Sequence, residues 1–253
     1  IKGNLWKFDV SNASPSNWNV AQGGLPLFIS GTSKPIISPP AVTFHQKGGQ
    51  LILFGTGKYL ETADTTNTDT QTMYGIWDYN TSGTLPADSL VQQITSMTTG
   101  SNHRTTTQNL VNYSATVKGW YMDLPISGER LTAIPEIQDG LFRFTTIVPS
   151  ASPCDFGGRG FLNIVNFSTG GMLTRPTFDT NGNRVLSLDD GYSSGIEIGF
   201  AMGGVTSIRN SSIGATSDFA VYSRADGTAN NPPVSPGAQG KRGRITWREF
   251  SQE

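Results

Sequence analysis

The segment Tyr74-Gly-Ile-Trp-Asp-Tyr-Asn-Thr-Ser-Gly83 indicates the fold class, because it joins an aromatic-rich, strand-like run to a polar residue and a glycine turn. Four other segments repeat this arrangement. The reference positions of all five are Asp9, Asp78, Asp123, Asn166 and Arg224, separated by 69, 45, 43 and 58 residues. A loose repeat of this length, with two stretched intervals, is typical of the four-stranded blades of a β-propeller. A β-sandwich whose strands merely look alike is the alternative.

Short apolar or alternating runs recur along the whole chain, each bounded by Gly, Pro, Asn or Asp. They cover residues 5–10, 50–54, 73–79, 119–124, 141–148, 161–167, 195–202, 219–223 and 244–250. Runs of this kind indicate β-strands. Helical periodicity is scarce, and its best candidate is Leu90–Met97. The sequence therefore predicts an all-β, propeller-like array of about five four-stranded blades.

Composition limits the classes of partner. A chain of 253 residues can bury a substantial core as one β-domain. Its 18 basic and 19 acidic residues give a net charge of −1, so no uniform field attracts nucleic acid or anionic lipid. No apolar run approaches the roughly 20 residues that span a bilayer. We expect one structural unit with no nucleic-acid partner and no transmembrane segment.

Residues that carry catalysis are few. One cysteine, Cys154, and two histidines, His45 and His103, cannot build a Cys/His zinc cage. Residues 191–195 match the G-x-S-x-G pattern of a nucleophile elbow, but no histidine follows them to act as the base. Carboxylate pairs such as Asp123 with Glu129 leave glycoside hydrolysis open. We expect a binding protein and no enzyme.

The segment 179–190 has the oxygen spacing of loops that wrap Ca²⁺, an ion that takes six to eight oxygen ligands. The ligands expected from this spacing are Asp179, Asn181, Asn183, the Val185 carbonyl, Ser187 and Asp190. Two features depart from the pattern: Arg184 stands where glycine favours the sharp turn, and only two of the side-chain ligands are charged. An Asn-Gly turn held by its own side-chain hydrogen bonds is the alternative.

Two further groups of residues have alternative interpretations. The loop of residues 61–69 contains Glu61, Asp64 and Asp69, and it is either a second cation site or an ordinary solvated loop. Four tryptophans stand at equivalent points of the repeated strands, where they either pack between blades or form a sugar-stacking platform. They are Trp6, Trp77, Trp120 and Trp247.

Three parts of the chain carry a family resemblance. The first is GTGKYL at 55–60 with QTMYGIWD at 71–78, and the second is GWYMDLPISGER at 119–130. The third pairs the opening GNLWKFD at 3–9 with the closing GRITWRE at 243–249. Together they resemble the C-terminal β-propeller domain of the PilC/PilY family, large adhesins associated with the tips of type IV pili.

This resemblance implies that residues 1–253 form a β-propeller domain, the C-terminal portion of a larger protein whose modified propeller is of the seven-bladed type. It also implies a type IV pilus biogenesis factor and tip-associated adhesin that promotes pilus extension, twitching motility and surface adhesion, with a calcium requirement in some members. The expected partners are minor pilins and a host or abiotic surface, at the bacterial cell surface, pilus tip or outer membrane. The aromatic strands are also similar to those of quinoprotein propellers. A redox propeller and a carbohydrate-binding propeller are therefore the alternative functions.

Overall fold

Strands make up nearly all of the regular structure. The computed structural model describes residues 2–150, 152, 158–200, 203–208, 217–224 and 227–236. Cys154, the run 244–250, the closing segment 243–249 and its Trp247 lie outside the described residues. The strands within these ranges are β1 (Gly3–Leu5), β2 (Phe8–Asp9), β3 (Asn19–Val20), β4 (Phe28–Gly31), β5 (Ala41–Phe44), β6 (Gln50–Gly55), β7 (Thr72–Asp78), β8 (Leu90–Met97), β9 (His103–Thr106), β10 (Gly119–Asp123), β11 (Glu136–Gln138), β12 (Leu141–Pro149), β13 (Gly158–Asn166), β14 (Gly195–Glu197), β15 (Thr206–Ile208), β16 (Asp218–Ser223), β17 (Ala229–Asn230) and β18 (Pro233–Val234).

Helical elements in the described ranges are single turns. The four 3₁₀ turns are Pro15–Asn17, Thr62–Thr65, Ala87–Ser89 and Leu188–Asp190, and one further helical turn is Ala21–Gly24. No helix in these ranges has the length and the apolar character needed to cross a membrane. The all-β prediction is confirmed, and most predicted strands agree with the observed ones to within a few residues.

A ten-stranded sheet forms the centre of the molecule. Its order is β11-β12-β13-β14-β9-β8-β10-β7-β6-β5, antiparallel throughout except for the parallel pair β8 and β10. The two edge strands, β11 and β5, lie against each other. Ile137 of β11 and Ala41 of β5 also pack on the same group of buried side chains. The sheet therefore curls until its edges nearly meet.

The curled sheet encloses an apolar core. Its buried side chains come from strands at both ends of the sheet and from the segments between them: Leu51, Leu53, Met73, Trp77, Val111, Tyr113, Trp120, Met122, Leu124, Leu131, Phe142, Phe144 and Val165. Because strand residues alternate between the two faces, the intervening positions point outward. Ile52 and Ile76 pack under the N-terminal strands, and Leu162 and Ile164 pack under the C-terminal ones. The smaller sheets thus cover outer faces of the central sheet.

Part of the interior is polar and contains an ion pair with no exposure to solvent. The Arg104 Nη1 donates to the Glu129 Oε1 at 2.8 Å, and both side chains are 0% exposed. Thr146 also donates its hydroxyl to Glu129, and Asn163 accepts from Arg104 at 3.3 Å. The guanidinium carbon lies 3.7 Å from the centre of the Phe161 ring. These contacts compensate charges that would otherwise be costly to bury.

The segment Leu90–Met97, the best candidate for helical periodicity, is strand β8, paired on one side with β10 and on the other with β9. Gln93 is the reason that the sequence pattern does not indicate this strand. Its polar side chain breaks the apolar alternation, yet it is 0% exposed. Its amide nitrogen donates to the carbonyls of Asn109 and Thr169, while its oxygen accepts from Thr107 and Asn109. A buried polar group with these partners is compatible with a core strand.

The five-part repeat does not correspond to five separate sheets. Strands β7 and β10, which end at Asp78 and Asp123, are hydrogen-bonded neighbours in the ten-stranded sheet. The other described sheets have two, four and two strands. The count of about five blades is therefore not confirmed. Of the tryptophans, Trp77 and Trp120 are buried in the core as the packing interpretation requires, whereas Trp6 is 44% exposed.

Trp120 fits the core because glycines leave room for its indole ring. Gly75 is its cross-strand partner, and a Cβ at Gly75 would lie 2.3 Å from the indole Nε1. A Cβ at Gly170 would lie 2.4 Å from the other part of the ring, at Cε3. The indole N–H donates to the Phe167 carbonyl at 3.1 Å, which fixes the ring in this slot.

We predict that Gly75→Ala destabilises the fold, because the added methyl group overlaps a ring that has no space to move. Overpacking of this kind costs about 1–3 kcal/mol in the free energy of unfolding, and the short contact favours the upper end. Urea denaturation measures the change. Gly203→Ala is the control, since its Cβ would have its nearest neighbour at 3.5 Å. Equal stabilities of the two variants would contradict the packing described for Trp120.

Candidate functional site

The loop predicted to bind calcium connects β13 to β14 and is held by its own backbone amides. Asp179 accepts two of them, from Gly182 to Oδ1 and from Arg184 to Oδ2, both at 2.7 Å. Arg184 has φ of 64°. This is the left-handed conformation for which calcium loops use glycine at the sixth position. The arginine therefore does not prevent the turn that the spacing requires.

Asp190 binds the same short stretch from the other end of the loop. Its Oδ1 accepts from the amides of Thr180 and Asn181, at 2.9 and 3.4 Å, and its Oδ2 accepts from the Ser187 amide at 2.8 Å. Asp190 is buried. The structure thus brings the two charged predicted ligands, Asp179 and Asp190, to one segment of backbone.

The remaining predicted ligands make local turns. The Asn181 side chain accepts from the Asn183 amide, and Asn183 accepts from the Val185 amide. The Ser187 hydroxyl accepts from the Asp189 amide. No cluster of three or more His, Cys, Asp or Glu suited to a metal occurs in the described part of the chain. These hydrogen bonds from the loop's own amides to its own side chains are the pattern expected of the Asn-Gly turn.

The acidic loop at 61–69 contains a partly buried ion pair, which neither interpretation of its sequence predicts. Asp64 is buried and forms an ion pair with Lys58 at 2.9 Å. It also accepts from the backbone amides of Leu60 and Glu61. Lys58 contacts Glu61 as well. The lysine already supplies the positive charge here, so a cation site at Asp64 is not supported.

Arg130 fastens this loop to the end of the segment 119–130. Its guanidinium donates to three carbonyls: Lys58 and Asn67 at 2.8 and 2.7 Å, and Gly128 at 2.8 Å. Arg130 is nearly fully buried. Two of the strings that carry the family resemblance are therefore joined by a structural contact.

Electrostatics around Asp64 make this loop sensitive to pH. Burial alone would raise the pKa of the Asp64 carboxyl, but the amides of Leu60 and Glu61 and the Lys58 ammonium hold that pKa below its usual value. A carboxyl whose pKa is lowered by folding stabilises the native state when ionised. The stabilisation is fully present above the unfolded-state pKa of about 3.9, and it is lost as the pH falls through the lower folded-state pKa.

We predict that Asp64→Asn lowers the free energy of unfolding at neutral pH, because it leaves Lys58 without its buried partner. The difference from the wild type should shrink as the pH falls below about 4. Denaturant titrations at several pH values measure it, with Asp88→Asn, at an exposed carboxylate, as the control. A difference that is independent of pH would contradict the role given to the ionised carboxylate.

The candidate catalytic groups are buried or take part in structural contacts. Ser193 is buried, and Glu129 is the buried partner of Arg104. Asp123 accepts instead from Thr72 at 2.6 Å and from Lys34 at 3.3 Å. These contacts do not direct Ser193, or the pair of Asp123 and Glu129, towards a common cleft.

A groove of about 940 Å³, which we did not predict from the sequence, lies beside the end of β7. Its walls come from three separate parts of the chain: Lys47, residues 77–89 and residues 113–118. The sequence signal is weak, since it consists of Asn, Thr and Ser in two surface loops. Under its aromatic wall, burial and the nearby Lys47 charge lower the pKa of His45, which contacts both Trp77 and Tyr113.

Comparison with known proteins gives consistent matches. The family model described as the PilY1 β-propeller domain matches residues 1–115. A type IV pilus biogenesis factor PilY1 homolog of Xylella fastidiosa is 32% identical over 203 residues, covering 73% of this chain and 14% of that protein. A second homolog from that organism is 30% identical and covers 99% of this chain and 20% of that protein. PilY1 of Pseudomonas aeruginosa PAO1 is 30% identical, covering 76% of this chain and 21% of that protein.

A solved structure supports the same relationship. The crystal structure of the Pseudomonas aeruginosa PilY1 C-terminal domain superposes with a TM-score of 0.74 at 25% sequence identity. The match covers 93% of this chain and 56% of that domain chain. The chain spans only 14% to 21% of the length of the three curated relatives described above. The chain belongs to the PilY1 β-propeller family and shares the fold of the PilY1 C-terminal domain.

Proposed function

We propose that this chain acts in type IV pilus biogenesis, as the β-propeller part of a PilY1-like factor. The observation that supports the proposal most directly is the match to relatives named type IV pilus biogenesis factors, one of which covers 99% of the chain. The relatives that carry these names are several times longer than this chain. The proposed role therefore belongs to the parent protein, in which this domain supplies a binding surface.

The domain binds and assembles, and it performs no catalysis. Its partners are minor pilins and a host or abiotic surface, and it works at the bacterial cell surface, at the pilus tip or outer membrane. By promoting pilus extension it supports adhesion and twitching motility. The buried positions of Ser193 and Glu129 are consistent with this role, because neither side chain is available to a substrate in solution.

Calcium binds the loop of Asp179, Asn181, Asn183, Val185, Ser187 and Asp190 and regulates this activity. The turn at Arg184 and the convergence of Asp179 and Asp190 on one backbone segment support the assignment. With two charged ligands the site is weak, with a Kd of about 10⁻⁴ to 10⁻³ M, as in other extracellular modules. Extracellular calcium is sufficient to fill such a site.

We predict that deleting the gene for the parent protein abolishes surface pili and attachment to surfaces, and that a wild-type copy restores both. Electron microscopy and an attachment assay measure the two outcomes. In a second arm, the tagged domain is used to capture proteins from a piliated cell surface, where minor pilins should be recovered. Cells lacking minor pilins are the control for that arm. Normal piliation and attachment in the deletion strain would contradict the proposed function.

We predict that calcium raises the stability of the purified chain. Calcium at about 100 times the Kd should add about 2.7 kcal/mol to the free energy of unfolding, because the ion binds the folded loop and not the unfolded chain. Thermal melts with chelator and with calcium at about 10 to 100 mM, which is about 100 times the Kd, measure this increment. Asp179→Ala should remove it.

The relevant quantity in that experiment is the calcium-dependent increment, since Asp179→Ala also removes hydrogen bonds to two amides. Asp189→Ala is the matched control, because Asp189 lies in the same loop but is not one of the proposed ligands. Its increment should equal that of the wild type. Coincident melting curves of the wild-type chain with and without calcium would show that the loop is an ordinary Asn-Gly turn.

A further inference from the structure

The groove beside β7 has a rigid aromatic wall. The rings of Trp77 and Tyr113 meet edge to face, with centroids 5.5 Å apart and planes at 81°. Trp77 donates its indole N–H to the Gly48 carbonyl at 2.8 Å, and Tyr113 donates its hydroxyl to the Ser168 carbonyl at 2.6 Å. Both side chains are buried, so their positions do not depend on a ligand.

Tyr79 extends this wall towards solvent. Its ring stacks on Trp77 with centroids 5.4 Å apart and planes at 17°, and 40% of the residue is exposed. An exposed aromatic side chain held by a buried one offers apolar contact area without a loss of conformational freedom on binding. The C–H groups of a sugar ring are a suitable partner for such a surface.

Two lysines border the same aromatic pair. Lys47 donates its ammonium to the Tyr113 carbonyl at 2.6 Å, and the Lys118 ammonium lies 4.9 Å from the centre of the Trp77 ring. Within the described residues, neither lysine forms an ion pair with a carboxylate. The one carboxylate of the groove, Asp88, is exposed. The groove therefore presents positive charge that an anionic ligand would neutralise.

The other lining side chains are neutral, and most of them are Asn, Ser or Thr. The Thr81 hydroxyl is buried and has no hydrogen-bond partner among the described residues. A hydroxyl-rich ligand supplies the missing partner, and a buried hydroxyl left without a partner is destabilising. The volume of about 940 Å³ lies at the upper end of small-ligand sites, which range from about 300 to 1,000 Å³. The space suits an oligosaccharide better than a single phosphate.

We propose that this groove binds acidic saccharides, meaning glycans that contain a uronate or a sialate. Lys47 and Lys118 hold the sugar carboxylate, the Tyr79 ring packs against a sugar ring face, and Thr81 bonds to a hydroxyl. This assignment deepens the proposed adhesive function by naming the class of surface ligand. It is measured on the purified chain, so it can fail while the role in pilus assembly stands, and the reverse is also true.

The test is calorimetric or NMR titration of the purified chain with 3′-sialyllactose and with trigalacturonate. Both should bind, and lactose, which is sialyllactose without its charged sugar, should bind at least ~10-fold more weakly. Rising salt should weaken sialyllactose binding, because the contacts to its carboxylate are ionic. Equal binding of lactose and sialyllactose, or no binding of either acidic sugar, would overturn the proposal.

Variants assign the binding to the groove. Lys47→Gln with Lys118→Gln should weaken binding of the acidic sugars ~10-fold or more, and the double change to Arg should retain most of it. Lys2→Gln, at an exposed lysine outside the groove, should have no effect. Tyr79→Ala tests the aromatic contact without changing the charge of the groove, and it should weaken the binding of both acidic sugars. Unchanged affinity in the Gln double variant and in Tyr79→Ala, or equal binding of polyglutamate, would overturn the assignment.

Discussion

The buried ion pair of Arg104 and Glu129 is the constraint on which the rest of the fold depends. A charge with no solvent exposure is strongly destabilising unless it is paired and hydrogen-bonded. Its partners come from β9, from the segment after β10, and from β12 and β13, which are distant in sequence. They meet because β12, β13, β14 and β9 are successive strands of the sheet, and because Arg130, next to Glu129, pairs with Ile147 of β12. The ion pair therefore joins four segments of the chain at one place in the sheet.

Local features were predictable from the sequence, and features that combine distant segments were not. The long core strands β6, β7, β12 and β13 follow from apolar runs between turn residues. Strand β8 could not be recognised from the sequence, because the partners of its buried Gln93 lie in two remote loops. The repeated segments around Asp78 and Asp123 predicted strands of separate blades, whereas β7 and β10 pair with each other in one sheet. The groove has walls from three segments, and no single segment carries its signal.

The position of the proposed calcium loop connects it to the buried polar network. The loop ends at Asp190, and four residues later Ser194 donates its amide to the Arg104 carbonyl and shares a hydrogen bond with Thr106. Strand β14 follows immediately and bridges β13 and β9. An ion that orders the loop therefore acts on the strand that joins the two halves of the sheet. The groove lies beside β7, which is four strands away from β14 in the order of the sheet.

The pairing of β9 with β14 determines when the sheet can be completed during folding. Arg104 meets Gly195 across this pair, so about ninety residues must be in place before β9 gains its second neighbour. Such long-range pairings slow folding, because the loop between them must be closed before their contacts form. Until then the backbone groups along one edge of β9 remain without strand partners, and an unpaired strand edge is prone to aggregation. Production of this domain should therefore improve when incomplete chains are kept at low concentration until β14, which ends at residue 197, has been synthesised.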